Sequence, residues 1–258
     1  MIVSNTRDLL AIKSRKKLRL MQTASLIGNP TFFVGQDNDS KEGTTRGYSD
    51  EDRSGIAALP GTKQEIETVE TLLNKKGWKV NSLVESNATE KRVKEMASSR
   101  IVHVATHGFF QDDKNVSWST QDPMLRSGIL LSGAADFMQN KQETNGENGI
   151  LTAYEAANLS LEGTEMVVLS ACETARGEIQ QGEGVYGLQR AFITAGAESL
   201  VMSLWKVDDE ATQKLMSLFY ENWMKGMDKN EALNQAQREL RKFYPHPYYW
   251  GAFVMMRG

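Results

Sequence analysis

One cysteine, Cys172, stands in 258 residues, so no internal disulfide can staple this chain. That cysteine and three dispersed histidines, His103, His107 and His246, give no zinc-ligand spacing, and no metal or other cofactor is expected. An excess of one charge is also missing. Lys+Arg 30 against Asp+Glu 33 leaves a formal net charge of -3, which offers no electrostatic footprint for nucleic acid or an anionic membrane. No apolar run approaches the ~18 residues that a membrane span requires, and no secretory leader pattern opens the chain. Internal repeats of roughly 30 to 45 residues are absent as well. Together these absences point to a protein of a reducing compartment, with the cytoplasm as the expected location.

What is present is an α/β pattern. Residues 1–23 are basic and polar, with Lys13, Arg15, Lys16 and Lys17 clustered, and read as a linker or attachment segment. The remainder, 24–258, reads as one domain interrupted by polar loops at 35–58 and 109–148. Apolar, β-branched runs at 24–29, 101–105, 167–170 and 199–204 predict buried strands, with a weaker strand at 80–84, one at 128–131 that breaks the second polar loop, and a last one at 252–255. Between them, helical spacing predicts a helix from Thr62, with Glu65 completing a capping box, through Leu73. Further helices are expected from Thr89 through Ser98, over 151–157, from Gly182 to Gly196, and over 210–225 and 230–243. Alternation at this spacing implies a mostly parallel central sheet with helices on both faces.

Two of the buried runs end in reactive residues. Ile101 to Ala105 runs on to His107-Gly108, and Val167 to Ser170 runs on to Cys172. Reactive side chains in open α/β sheets sit at the carboxyl ends of strands, so adjacent parallel strands would bring imidazole and thiol to one sheet edge. There His107 would take the thiol proton as general base, and the Cys172 thiolate would attack an acyl carbon. Gly108, free of a Cβ, would let a backbone N–H approach the developing oxyanion, with the N–H of Cys172 as second donor. Taken alone, Cys172 reads more readily as a small buried hydrophobe than as a nucleophile, and His103, inside its strand, as a core residue.

The motifs VHVATHGFF at 102–110, LSACET at 169–174, GEGVYGLQRAFITAGAESLVMSLWKVDDEAT at 182–212 and YYWGAFVMMRG at the end, with LPGTKQEI at 59–66, resemble the CHAT domain. That family is a bacterial caspase-like peptidase group related to separase. The resemblance implies a caspase-haemoglobinase fold, a His107 and Cys172 dyad, and a cysteine endopeptidase acting on a specific protein substrate. It also implies control by a regulatory or sensor protein, in a bacterial defence or signalling setting, because relatives carry the domain behind helical repeats. Separase and its relatives accept a basic residue before the scissile bond. The expected acidic pocket would draw on Asp208, Asp209 and Glu173, with Glu183 in reserve and Trp205 as a wall. The competing reading is a catalytically silent caspase-like scaffold or adaptor.

Overall fold

The computed structural model describes residues 2–3, 21–34, 47–48, 56–110, 124–140, 143, 147–171 and 186–257. In chain order the elements are β1 (Ile2–Val3), β2 (Thr23–Pro30), β3 (Gly47–Tyr48), α1 (Pro60–Lys75), β4 (Lys79–Glu85), α2 (Glu90–Lys94), β5 (Ile101–Ala105) and β6 (Gly108–Phe110). They continue with β7 (Ser127–Leu130), α3 (Ala134–Asn140), β8 (Ile150–Thr152), α4 (Ala153–Ala156), β9 (Met166–Ser170) and α5 (Tyr186–Thr194). Last come β10 (Ser199–Ser203), α6 (Asp209–Met224), α7 (Lys229–Leu240), α8 (Pro247–Trp250) and β11 (Phe253–Arg257).

The main sheet has the order β1-β11-β10-β9-β5-β2-β4. From β10 across to β4 every neighbouring pair is parallel, whereas β11 lies antiparallel to β10. β5, β9 and β10 are buried along their whole length, which is why they appear in the sequence as mostly apolar runs without the alternation of a half-exposed strand. Alternate residues supply opposite faces. Ile101 and Val168 pack with Ile66 and Val69 of α1, Leu215 and Phe219 of α6 and Leu233 of α7, while Val102 and Val167 pack with Val93 of α2, Ala156 of α4 and Phe192 of α5. α1 lies so close to β2 that a Cβ at Gly28 would stand 2.5 Å from Ile66 Cγ1. No helix among the described residues is long and apolar enough to cross a membrane.

Three local expectations need correction. The helix after Thr89 stops at Lys94, short of Ser98, because the serines beyond it turn to other partners. Ser98 Oγ donates to the Glu162 carbonyl (2.8 Å), and Ser99 Oγ lies 2.8 Å from Ser25 Oγ. Leu151 belongs to a strand, not a helix: it sits opposite Ile129 in β8, and the helix starts only after Thr152, whose capping box with Glu155 is complete. The Thr62–Glu65 box does not form. α1 begins at Pro60, Thr62 Oγ1 donates back to the Leu59 carbonyl (2.7 Å), and Glu65 points into the core.

The segment between β5 and β9 is more ordered than its polarity predicts. β6 and β7 are antiparallel, β7 and β8 likewise, and β3 joins β6 in parallel to give a second sheet of order β3-β6-β7-β8. Phe32, Ile56, Phe109, Leu130, Ala134 and Ala135 form a separate small core beside it.

Buried charge also ties this segment down. Glu90, at the start of α2, accepts from the Gly149 N–H (3.2 Å) and pairs with Lys94, which reaches Glu155 (2.9 Å) as well. Burial, opposed by Lys94 and reinforced by neighbouring Glu147, pushes the Glu90 carboxyl up to about 7. The folded protein therefore holds this proton more tightly than the unfolded chain, whose carboxyl titrates near 4.5. The resulting stability is complete below pH 4.5 and is lost as pH rises from 4.5 through 7. Unfolding free energies of the wild type and Glu90→Gln, measured from pH 4.5 to 8, will diverge steadily across that window. A pH-independent difference would contradict this.

Candidate active site

β5 ends at Ala105, and the chain turns through Thr106 and His107 to enter β6 at Gly108. The turn is pinned by the last residue of β7. Thr106 Oγ1 donates to the Leu130 carbonyl (2.6 Å), and the Leu130 N–H donates to the His107 carbonyl (2.9 Å). The imidazole is 3% exposed, with the Phe32 ring centroid 5.3 Å away. Phe32 is in turn held by α3: its carbonyl accepts from the Ala135 N–H (3.1 Å), and Asp136 Oδ2 accepts from the Val34 N–H (2.7 Å).

His107 Nε2 lies 2.8 Å from the Ala57 carbonyl oxygen. A carbonyl can only accept, so in the neutral ring Nε2 carries the proton and the lone pair falls on Nδ1. The backbone of residue 57 thus selects which nitrogen can act as base. Sequence reasoning missed Ala57, and no side-chain signal could have revealed a role played by a carbonyl.

The neighbouring strand, β9, leads to Cys172. β5 and β9 are in register through Ala105 and Ser170, so their carboxyl ends leave the sheet side by side. Ala171 is buried, and its carbonyl accepts from Ser203 Oγ at the end of β10 (2.8 Å). Cys172, together with Glu173 and Glu183, lies outside the described residues. Gly108 opens β6 opposite Ile129.

Asp208 and Asp209 follow β10. Asp208, half-buried, is the N-cap of α6, its Oδ1 accepting from the Ala211 N–H (2.8 Å). Asp209, 6% exposed, serves another helix: its Oδ2 accepts from the Gly61 N–H at the start of α1 (2.6 Å). Trp205 donates through Nε1 to the Tyr248 carbonyl (3.0 Å), lying against α8. His246 caps α8, its Nδ1 accepting from the Tyr248 N–H (3.2 Å).

His103 is not in the site but beneath it, fully buried. Its Nε2 lies 2.7 Å from Glu65 Oε1 and its Nδ1 3.0 Å from Tyr220 Oη. The carboxylate accepts from Nε2–H, which leaves Nδ1 to accept from the Tyr220 hydroxyl. Burial, with the Glu65 charge in support, drives the Tyr220 hydroxyl well above its ordinary value, so it stays a donor. A signal for this network existed in the sequence. Glu65 stands four residues before Val69 on the apolar stripe of α1, where a carboxylate requires a buried partner.

A mostly parallel sheet in which one strand turns at a carbonyl-bound histidine, beside a strand leading to the chain's one cysteine, has the architecture of caspase-like proteins. Among solved structures, the Arg specific cysteine proteinase gingipain R superimposes with a TM-score of 0.55 at 9% identity, over 92% of this chain and 46% of that one. The CHAT domain profile matches residues 2–258, and the chain belongs to that family. Tetratricopeptide repeat protein 28 of Homo sapiens is 26% identical over 275 residues, covering 96% of this chain and 10% of that protein. Its Mus musculus counterpart is 26% identical over 223 residues, covering 77% of this chain and 8% of that protein. The chain thus spans about a tenth of the length of these curated relatives.

Proposed function

We propose that this protein is a cysteine endopeptidase in which His107 activates Cys172. The observation that carries this is the register of β5 with β9. Ala105 pairs with Ser170, and His107 and Cys172 each stand the same two positions further along their chains. His107 takes the thiol proton on Nδ1 while Ala57 holds Nε2–H, and the thiolate attacks the carbonyl carbon of a peptide bond. Electrons move onto the carbonyl oxygen, where the N–H groups of Gly108 and Cys172 are the candidate donors. Collapse expels the amine, which receives the proton from His107, and water then hydrolyses the thioester. Of the acidic candidates for a basic residue before the scissile bond, Asp209 is buried, so that role passes to half-buried Asp208 and to Glu173. A partner protein controls access, a reading supported by relatives in which this unit is about a tenth of a tetratricopeptide repeat protein.

Labelling by iodoacetamide reads the dyad without any substrate. Cys172 will react at neutral pH faster than a free model thiol, and any cleavage of a peptide library by the wild type will be lost in Cys172→Ala. Labelling that is slow, with the pH profile of an ordinary thiol near ~8.5, would overturn the dyad and leave the scaffold reading.

A further inference from the structure

We infer that Asp209 is a positioning residue for His107, acting through the start of α1. This rests on the dyad reading for its catalytic consequence, but the geometry behind it does not involve Cys172.

Asp209 is the first residue of α6, and Asp208 already caps that helix, so the buried Asp209 carboxylate is not needed there. It lies instead flat over Gly61. A Cβ built at Gly61 would stand 2.5 Å from Oδ2 and 2.8 Å from Oδ1, and Oδ2 accepts from the Gly61 N–H at 2.6 Å. α1 has no side-chain cap of its own, since its N-cap residue is Leu59. A carboxylate on the positive end of that helix, supplied from another element, therefore fixes where α1 begins.

The path from Gly61 to Ala57 is short and stiff. Pro60 fixes its own φ and restricts Leu59, whose backbone sits at φ -118 and ψ 86. The Leu59 carbonyl accepts from both the Thr62 N–H (3.0 Å) and Thr62 Oγ1 (2.7 Å). Leu59 and Ile56 are buried at 2% and 4% exposure on either side of Ala57. Moving Gly61 therefore moves the Ala57 carbonyl, and with it the hydrogen bond that selects the His107 tautomer. A helix that starts beyond the Cys172 strand thus sets which imidazole nitrogen is the base.

The test compares Asp209→Ala, Asp209→Asn and Gly61→Ala in the full chain. Imidazole ¹⁵N shifts of His107 read the tautomer, and iodoacetamide labelling of Cys172 across pH reads its activation. Asp209→Ala is expected to mix the two tautomers, slow labelling at pH 6.5 about tenfold and raise its pH midpoint. Gly61→Ala, which displaces the carboxylate from the other side, should do the same, and the double variant should be no worse than either single one. Asp209→Asn retains an accepting oxygen and should restore the wild-type profile. If Asp209→Ala lowers the melting temperature while the His107 shifts and the labelling profile stay as in the wild type, Asp209 is structural only and the inference fails. If wild-type Cys172 is unreactive yet the tautomer responds to Asp209, the dyad is wrong and the positioning stands.

Discussion

Replacing His107 with glutamine is expected to lower peptide cleavage by about 10²- to 10⁴-fold, the range lost with a general base. The side-chain amide of glutamine reaches as far as Nε2 and can still donate to the Ala57 carbonyl, so the turn between β5 and β6 keeps its anchor. It cannot take a proton at neutral pH. Labelling of Cys172 by iodoacetamide should then follow the pH profile of an ordinary thiol, rising toward ~8.5. The melting temperature should change little, because the Leu130 bonds to Thr106 and His107 use the Thr106 hydroxyl and backbone atoms alone. Cleavage that survives at wild-type rate would mean that another group deprotonates the thiol.

Glu65→Leu is expected to destabilise the fold by about 3–5 kcal/mol, as removal of one member of a buried pair does. His103 Nε2–H and Glu65 Oε1 are both fully buried, so neither water nor a rotamer change can satisfy the survivor. Glu65→Gln keeps an accepting oxygen and should lose much less. The triple replacement Glu65→Leu, His103→Leu and Tyr220→Phe removes every polar atom together and should recover most of the loss. Urea unfolding of the three variants checks this. A single Glu65→Leu variant as stable as the wild type would show that the network contributes nothing.

The central strands are legible in the sequence for a physical reason: β5, β9 and β10 are covered on both faces, so their runs are mostly apolar and end abruptly where the sheet ends. The two faces of α1 are equally legible from the spacing of Ile66, Val69 and Leu73. His107 could be singled out for the same reason, as the residue just past such a run. The roles of Ala57 and Asp209 could not. One acts through a carbonyl that every residue possesses, and the other binds the N–H of Gly61, 148 positions earlier in the chain. Of the second sheet only the strand at 128–131 is legible, because the others are short, and Ile150 is the half-buried end of a three-residue strand rather than part of a periodic run. The Thr62–Glu65 spacing misled because a local capping signal and a long-range demand for a carboxylate beside His103 fall on the same residue, and the buried partner won.

β11 has a consequence for synthesis on the ribosome. The connection from Ser203 to Asp209 touches both the end of the strand that leads to Cys172 and the start of α1, through Ser203 on Ala171 and Asp209 on Gly61. That connection is itself held by later residues: the Leu204 N–H donates to the Ala252 carbonyl (2.9 Å), Trp205 to Tyr248, and Phe253 of β11 pairs with Ser203. Chains emerge amino end first. The strands leading to His107 and Cys172 are therefore made well before these contacts can form, and in a nascent chain the connection from Ser203 to Asp209 stays without this support until β11 has been translated and has docked.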